Sequence, residues 1–316
     1  NVVDTLIVGR FLGSDALAAV GSSYTLVTFI TSILLGMCMG CGAIFSIRYG
    51  EKRLDHMKGN IFTAFVMIAC FSVLLNIAVM VFIDPVMKML SVPEEVYDLM
   101  RNYLMVMFCG IFATFLYNFF ASLLRAVGNS VTPLVFLGIS AVMNIILDLI
   151  FVLVAEWGVE GAALATIISQ WFSGIGSMIY TLVKCPQLRP ARRHMRITWI
   201  GLNEIMGASF LTCMQQSVMN LGILMVQGLV NSFGAVVMAA FAAATKIDAF
   251  AYMPLQDFGN SFSTFAAQNY GARKKERIEK GIRSAVISML IFSAVISILV
   301  FSFAKQLLLL FIHSAF

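Results

Sequence analysis

Long stretches without a charged residue constrain this chain more than any other feature. A helix needs about 20 apolar residues to span a bilayer. Backbone groups in hydrocarbon need internal partners, so only helices or closed barrels cross a membrane, and barrel strands alternate in polarity over roughly ten residues. The stretches therefore predict an all-α polytopic membrane protein. They lie between Asp15 and Arg48, Lys58 and Asp84, Arg101 and Arg125, Glu160 and Lys184, Glu204 and Lys246, and Arg283 and Lys305.

The composition excludes the main soluble classes. Hydrophobic residues make up 60% of the chain and charged residues 12%, with a mean hydropathy of +0.92. Soluble domains carry about 25% charged residues. Too few polar groups remain to cover a water-facing surface, which excludes a soluble enzyme, a secreted disulfide scaffold and a disordered chain.

The uncharged runs predict nine membrane segments. The run from Ile205 to Thr245 is too long for one helix, and we expect Asn231-Ser232-Phe233-Gly234 to break it because Asn and Gly favour turns. The segments are the end of a first helix (about 1–9), then about 16–46, 60–83, 97–123, 132–154, 161–183, 205–230, 235–267 and 283–304.

Lysine and arginine are divided unequally between alternate loops. One set of loops carries sixteen, and the other carries only Arg10, Lys88, Arg101 and Lys305. The positive-inside rule places the first set in the cytoplasm and predicts a multi-pass protein of the cell (plasma) membrane. The basic stretch 189–196 in this set is interpreted as a solvated connector, with contact to anionic lipid head groups as the alternative.

A shift of 221 residues brings two regions of the chain into register. Gly13, Ala18, Ala19, Tyr49 and Gly50 then fall on Gly234, Ala239, Ala240, Tyr270 and Gly271, and basic loops follow in both copies. Two-lobed repeats of this kind are common in secondary transporters. We predict a six-helix first lobe (1–183), a cytoplasmic linker (184–204) and a second lobe from 205 to 316. The chain lacks an initiator Met and stops after a hydrophobic run, so we expect a fragment whose second lobe is incomplete.

A carboxylate inside the membrane is a functional hypothesis by default, because burying its charge is costly. Asp148 lies deep in the fifth segment, and Asn144 precedes it by one i,i+4 step on the same helix face. Oxygen ligands suit a hard cation, or the carboxyl can hold a proton. The alternative is a hydrogen bond that joins two helices. Thr166 opens the sixth segment, and its alternative is a bond to its own helix backbone.

Further charged residues lie in predicted segments with open roles. Asp4 is in the truncated first helix and is alternatively an end cap. Lys246, Asp248 and Asp257 lie in the eighth segment, and the sequence assigns them no function. Pro254 in the same segment is expected to kink the helix.

Several short motifs occur in an order and spacing that cover nearly the whole chain. They are Val2-Val3-Asp4-Thr5 with Gly9, Leu17-Ala18-Ala19-Val20-Gly21, Arg125-Ala126-Val127-Gly128-Asn129-Ser130 with Pro133, Asn144-x-x-x-Asp148, Trp157-Gly158-Val159-Glu160-Gly161-Ala162-Ala163 and Gln268-Asn269-Tyr270-Gly271-Ala272. Together they resemble the motifs of the multidrug and toxic compound extrusion (MATE) transporters.

The resemblance implies a transporter of two six-helix bundles that exports amphipathic, often cationic compounds in exchange for Na⁺ or H⁺. It also implies that Asp4, Asn144, Asp148 and Thr166 form the cation site. It suggests that Asn118 in the fourth segment lines a substrate cavity. The coupling ion is the only non-protein component implied, with no cofactor, no nucleic-acid partner and a monomeric state expected.

Two rival functions follow from the same residues. A lipid-linked oligosaccharide flippase of the same superfamily would line its cavity with basic residues, whereas the embedded cations here reduce to Lys246. The second rival, an intramembrane enzyme, would need catalytic residues inside the membrane. His56, His194 and His313 lie in loops or at the chain end, and no Gly-x-Ser-x-Gly or His-Glu-x-x-His motif occurs.

Overall fold

The computed structural model describes the backbone of residues 7–8, 11–90, 92, 94–231 and 235–312. Within this part the chain is mostly helical and forms no strand. The helices are α1 (Ser14–Gly50), α2 (Leu54–Met89), α3 (Glu94–Cys109), α4 (Ile111–Ala126), α5 (Val131–Asp148), α6 (Gly158–Lys184), α7 (Trp199–Asn231), α8 (Ala235–Gly271) and α9 (Lys275–Ile312). A π-helical segment, Leu149–Val154, continues α5, and two short 3₁₀ turns, Pro186–Leu188 and Arg192–His194, lie between α6 and α7.

Most of these helices are long and apolar enough to cross a membrane. In the described residues six meet this test by length and composition, or seven if the bent pair of α3 and α4 counts as one span. The expected all-α membrane architecture is therefore confirmed. Helix α7 ends at Asn231, the first residue of the predicted break, and α8 begins at Ala235, while residues 232–234 lie outside the described part of the chain.

The chain divides into two compact units. The first contains residues 1–45 and 53–224, and the second contains residues 46–52 and 225–316. In the first unit, α4 buries phenylalanines against α1 and α2, with Phe45 and Phe119 packed edge to face at 5.9 Å between ring centroids. The boundaries of the predicted lobes stay a prediction.

A pair of glycines brings α1 close to α7 inside the first unit. A Cβ on Gly40 would lie 2.5 Å from the Ala208 carbonyl oxygen, and one on Gly36 would lie 2.6 Å from the Cα of Cys213. The Cys41 thiol lies 3.2 Å from the Ser209 hydroxyl at the same crossing. Small residues four apart let transmembrane backbones approach closely. The Cys38-x-x-Cys41 stretch is thus part of a helix-packing surface.

Two helices depart from the predicted segments. The fourth predicted segment, 97–123, is not continuous, because α3 and α4 meet at Gly110 with a 44° bend. A Cβ at Gly110 would lie 2.9 Å from the Ile167 side chain, so α6 presses against the bend. The fifth segment, 132–154, changes from α to π geometry directly after Asp148.

The predicted repeat reappears in backbone detail. Helices α1 and α8 each contain 37 residues, and each ends in the same turn. In the first turn Glu51 N–H donates to Ile47 O at 2.9 Å, and in the second Ala272 N–H donates to Gln268 O at 3.0 Å. The donor and the acceptor of the second bond each lie 221 positions after those of the first. Lys52 and Arg273, also 221 apart, both have positive φ angles, 58° and 56°.

The two repeated turns contact each other within the second unit. A Cβ on Gly50 would overlap Gln268 O, and one on Gly271 would overlap Ile47 O. Gln268 and Ile47 are themselves equivalent under the 221-residue shift, so each copy presents the same glycine to the same carbonyl of the other. We call this contact the glycine crossing. It leaves no room for a side chain at either glycine.

Candidate functional site

The carboxylate of Asp148 is fully buried in the interior of the first unit. Asp148 is the last residue of α5 and has 0% of its surface exposed. The opposite face of α5 is exposed and apolar, with Val135, Val142 and Ile146 pointing outward, as expected for a surface that faces lipid. Because burying an ionised carboxylate is costly, Asp148 is a candidate site for a cation or a proton.

Asn144 and Thr166 connect α5 to α6 one helical turn before Asp148. The amide of Asn144 donates to the Thr166 hydroxyl at 3.4 Å, and that hydroxyl donates to the Ala162 carbonyl at 3.1 Å. Both alternatives considered from the sequence are therefore present: a bond between helices and a bond from threonine to its own backbone. The two side chains are brought together beside the turn that carries Asp148.

Asn118 is not hydrogen-bonded to this group. Its amide nitrogen donates to the Thr114 carbonyl at 2.8 Å, one turn earlier in α4. The Thr114 hydroxyl in turn lies 3.0 Å from the Gln170 side-chain oxygen in α6. Asn118 thus belongs to a second polar group, placed between α4 and α6 near the bend at Gly110.

The remaining sequence candidates either lie outside the described residues or are exposed. Asp4 lies outside the described residues, as does the side chain of Lys246, although the Lys246 backbone lies in α8. Asp248 and Asp257 are both exposed on α8. No three His, Cys, Asp or Glu side chains gather in the described part of the chain.

The donor set suits a small hard cation. A carboxylate, an amide and a hydroxyl supply oxygen ligands for Na⁺, and the carboxylate can bind a proton instead. All three groups lie on two neighbouring helices. The role of each residue in ion binding stays a prediction.

Sequence reasoning missed two connections between helices. The Ser140 hydroxyl donates to the Ser169 carbonyl at 2.6 Å, which forms a second link between α5 and α6, and Gln170 pairs with Thr114 as described. A signal was present in α6, where buried hydroxyl residues recur every three or four positions. They are Thr166, Ser169, Ser173, Ser177 and Thr181.

Comparison with known proteins identifies the family. The family model described as MatE matches residues 1–150 and 208–315, which is most of the chain. A probable multidrug resistance protein of Bacillus subtilis, YpnP, is 29% identical over 87% of this chain and 62% of its own length. A second from the same organism, YoeA, is 28% identical over 99% of this chain and 69% of its own length.

Solved structures share the fold. An outward-facing multidrug resistance MATE family transporter of the MOP superfamily superposes with a TM-score of 0.90 at 20% identity, covering 100% of this chain and 70% of that one. The chain thus spans about two thirds of the length of the proteins it matches. The matched stretches lie on both sides of the linker between α6 and α7. On this evidence the chain belongs to the MatE family, the multidrug and toxic compound extrusion transporters.

Proposed function

We propose that the protein exports amphipathic, often cationic compounds across the cell membrane in exchange for Na⁺ or H⁺. The observation that carries this proposal is the fully buried Asp148 beside the Asn144–Thr166 bridge. The names of the two Bacillus relatives support drug export and do not favour the flippase alternative.

The coupling ion acts on the packing of α5 against α6. With Asp148 ionised and no cation bound, the helices hold a negative charge inside the membrane, where burial of charge is costly. Binding of Na⁺ or H⁺ neutralises that charge. The Asn144–Thr166 hydrogen bond, one helical turn away, then changes together with the packing of α5 against α6. Ion and substrate then favour different conformations, and coupling of this kind is reciprocal in binding free energy.

The membrane potential contributes to the exchange. A potential of 100 mV is worth about 2.3 kcal/mol for each elementary charge that crosses. Exchange of one Na⁺ for one monovalent cationic compound moves no net charge, whereas exchange of two ions for one compound does. The stoichiometry thus decides whether the potential drives export.

The test is efflux of a fluorescent cationic dye from proteoliposomes that contain the full-length protein. A Na⁺ gradient and a pH gradient are imposed separately, and one of them is expected to drive efflux. Asp148→Asn removes the titratable charge with little change of shape, so gradient-driven efflux should fall at least roughly tenfold, which corresponds to a 1.4 kcal/mol loss of coupling. Thr166→Val is expected to weaken the apparent ion affinity by a smaller factor.

The matched control is Asp98→Asn, an equal change at an exposed position near the start of α3. It should transport like the wild type. Wild-type efflux under neither gradient would contradict cation-coupled export, and wild-type rates in Asp148→Asn would contradict the role of that residue.

A further inference from the structure

The segment between α6 and α7 is held at a membrane surface by its two neighbours. Helix α6 ends at Lys184 and α7 begins at Trp199, and both helices are long and apolar enough to span the membrane. The end of one span and the start of the next lie at the same membrane face. The intervening residues 185–198 therefore stay close to the head groups.

The inner side of this segment is docked on the rest of the first unit. Leu188 and Cys185 are buried. Asp55, in the first turn of α2, accepts a hydrogen bond from Arg193 at 3.1 Å, and the His194 ring nitrogen Nε2 lies 3.1 Å from the same carboxylate oxygen. These contacts fix the orientation of the segment, so its other side faces outward consistently.

The outward side carries large apolar residues. Trp199 is 83% exposed and Ile200 84%, and Met195 and Ile197 are about half exposed. Their position is fixed by the start of α7, where the Thr198 hydroxyl accepts a hydrogen bond from Gly201 N–H at 3.3 Å as an N-cap. An exposed tryptophan at the end of a membrane span is typical of the membrane–water interface, where the indole ring is partly buried and partly wet.

Arginines alternate with these apolar residues. Arg189, Arg192 and Arg196 are exposed in the same segment. Basic residues near a membrane surface are attracted to anionic lipids, and apolar residues beside them insert into the head-group region. We define the linker patch as Arg189, Arg192, Met195, Arg196, Ile197, Trp199 and Ile200.

We propose that the linker patch binds anionic phospholipid head groups of the adjacent leaflet, with Trp199 and Ile200 inserted below them. The arginines supply the preference for negative charge, and the apolar side chains supply the depth. The segment joins α6 to α7, so lipid binding here anchors the connection between the two halves that the family model matches. The proposal does not depend on which compound or ion is transported.

Tryptophan fluorescence in reconstituted vesicles tests the proposal. The full-length protein and Trp199→Phe are placed in phosphatidylcholine vesicles that contain either brominated phosphatidylglycerol or brominated phosphatidylcholine at equal mole fraction. The difference between the two proteins isolates Trp199. Its emission is expected at short wavelength, with quenching by the brominated phosphatidylglycerol roughly twofold stronger than by the brominated phosphatidylcholine.

Charge variants identify the residues responsible. The triple variant Arg189→Gln, Arg192→Gln, Arg196→Gln should lose the preference for phosphatidylglycerol. The matched control Lys274→Gln, Lys275→Gln, Arg277→Gln removes the same charge from another exposed basic segment and should keep it. Thermal unfolding in detergent verifies that each variant is folded.

Two results would overturn the proposal. Long-wavelength Trp199 emission without quenching by either lipid would show that the patch lies in water. Equal quenching by both lipids in the wild type would show membrane contact without recognition of negative charge.

Discussion

Helices α1 and α8 are two copies of one repeat that share their ends but differ in the residues between them. They have the same length, the same terminal turn and the same positive-φ residue, Lys52 in one and Arg273 in the other. Between their ends they differ: α1 has Gly36 and Gly40 packed on α7, where α8 has Asp257 and Ser261, both exposed. The comparison shows that the repeat preserves the backbone at the glycine crossing while the helix faces have diverged.

The largest expected effect comes from filling the glycine crossing. Gly50→Ala and Gly271→Ala each place a methyl group against a backbone carbonyl, so each should lower the free energy of unfolding by about 3 kcal/mol, and by similar amounts. Denaturant titration in mixed micelles measures both. Gly59→Ala, in open space on α2, is the control and should be neutral or slightly stabilising. Strongly unequal losses would show that the two copies are not equivalent.

The next largest effect is expected in the middle of the two helices, where α1 and α8 carry different residues at equivalent positions. Gly40→Ala should cost about 2 kcal/mol because the new methyl group meets the backbone of Ala208 on α7. The equivalent position in α8 is Ser261, and Ser261→Ala should change stability by less than about 0.5 kcal/mol because that side chain is exposed. The same titration measures both variants. Equal losses at the two positions would mean that α8 has a packing partner at this register as well.

A smaller, stabilising effect is expected at the repeated turns. Lys52→Gly and Arg273→Gly relieve the left-handed backbone conformation of a residue with a Cβ, so each should raise the unfolding free energy by about 1 kcal/mol. Arg53→Gly is the control with equal loss of charge, since the Arg53 φ is −91°. It should give no gain. Stabilisation by Arg53→Gly as well would point to charge repulsion rather than backbone strain.

The smallest effect lies in an ion pair of the first turn that the residues of the second turn cannot form. Arg48 donates to Glu51 at 2.9 Å, whereas the equivalent residues of the second turn are Asn269 and Ala272. Glu51→Gln should cost about 0.5 kcal/mol at low salt and less at high salt. Ala272→Gln should show no dependence on salt. A cost of Glu51→Gln that is independent of ionic strength would exclude charge as its origin.

Local signals in the sequence predicted much of this fold. Uncharged runs located the spans, Asn231 marked the end of α7, and Gly50 and Gly271 revealed the repeat. The bend at Gly110 was missed because glycine is common in membrane helices and the run around it carries no charge. The π segment after Asp148 was missed because hydropathy does not report which carbonyl each N–H reaches.

The candidate site was predictable in part. The i,i+4 spacing correctly put Asn144 and Asp148 on one face of α5. Thr166 was a candidate from the sequence, but it was grouped with Asn144 and Asp148 only through the family resemblance, because contacts between helices depend on packing that one sequence does not encode. For the same reason the pairing of Thr114 with Gln170 could not be predicted.

The contact of α1 with α7 has a consequence for synthesis of the protein. Cys41 and Ser209, which meet at this contact, are 168 residues apart in sequence. A ribosome adds about 5–20 residues per second, so Ser209 is synthesised roughly 8 to 34 s after Cys41. During that time the surface around Gly36 and Gly40 has not yet met α7. The nascent chain thus spends many seconds with a helix-binding surface available to other membrane proteins.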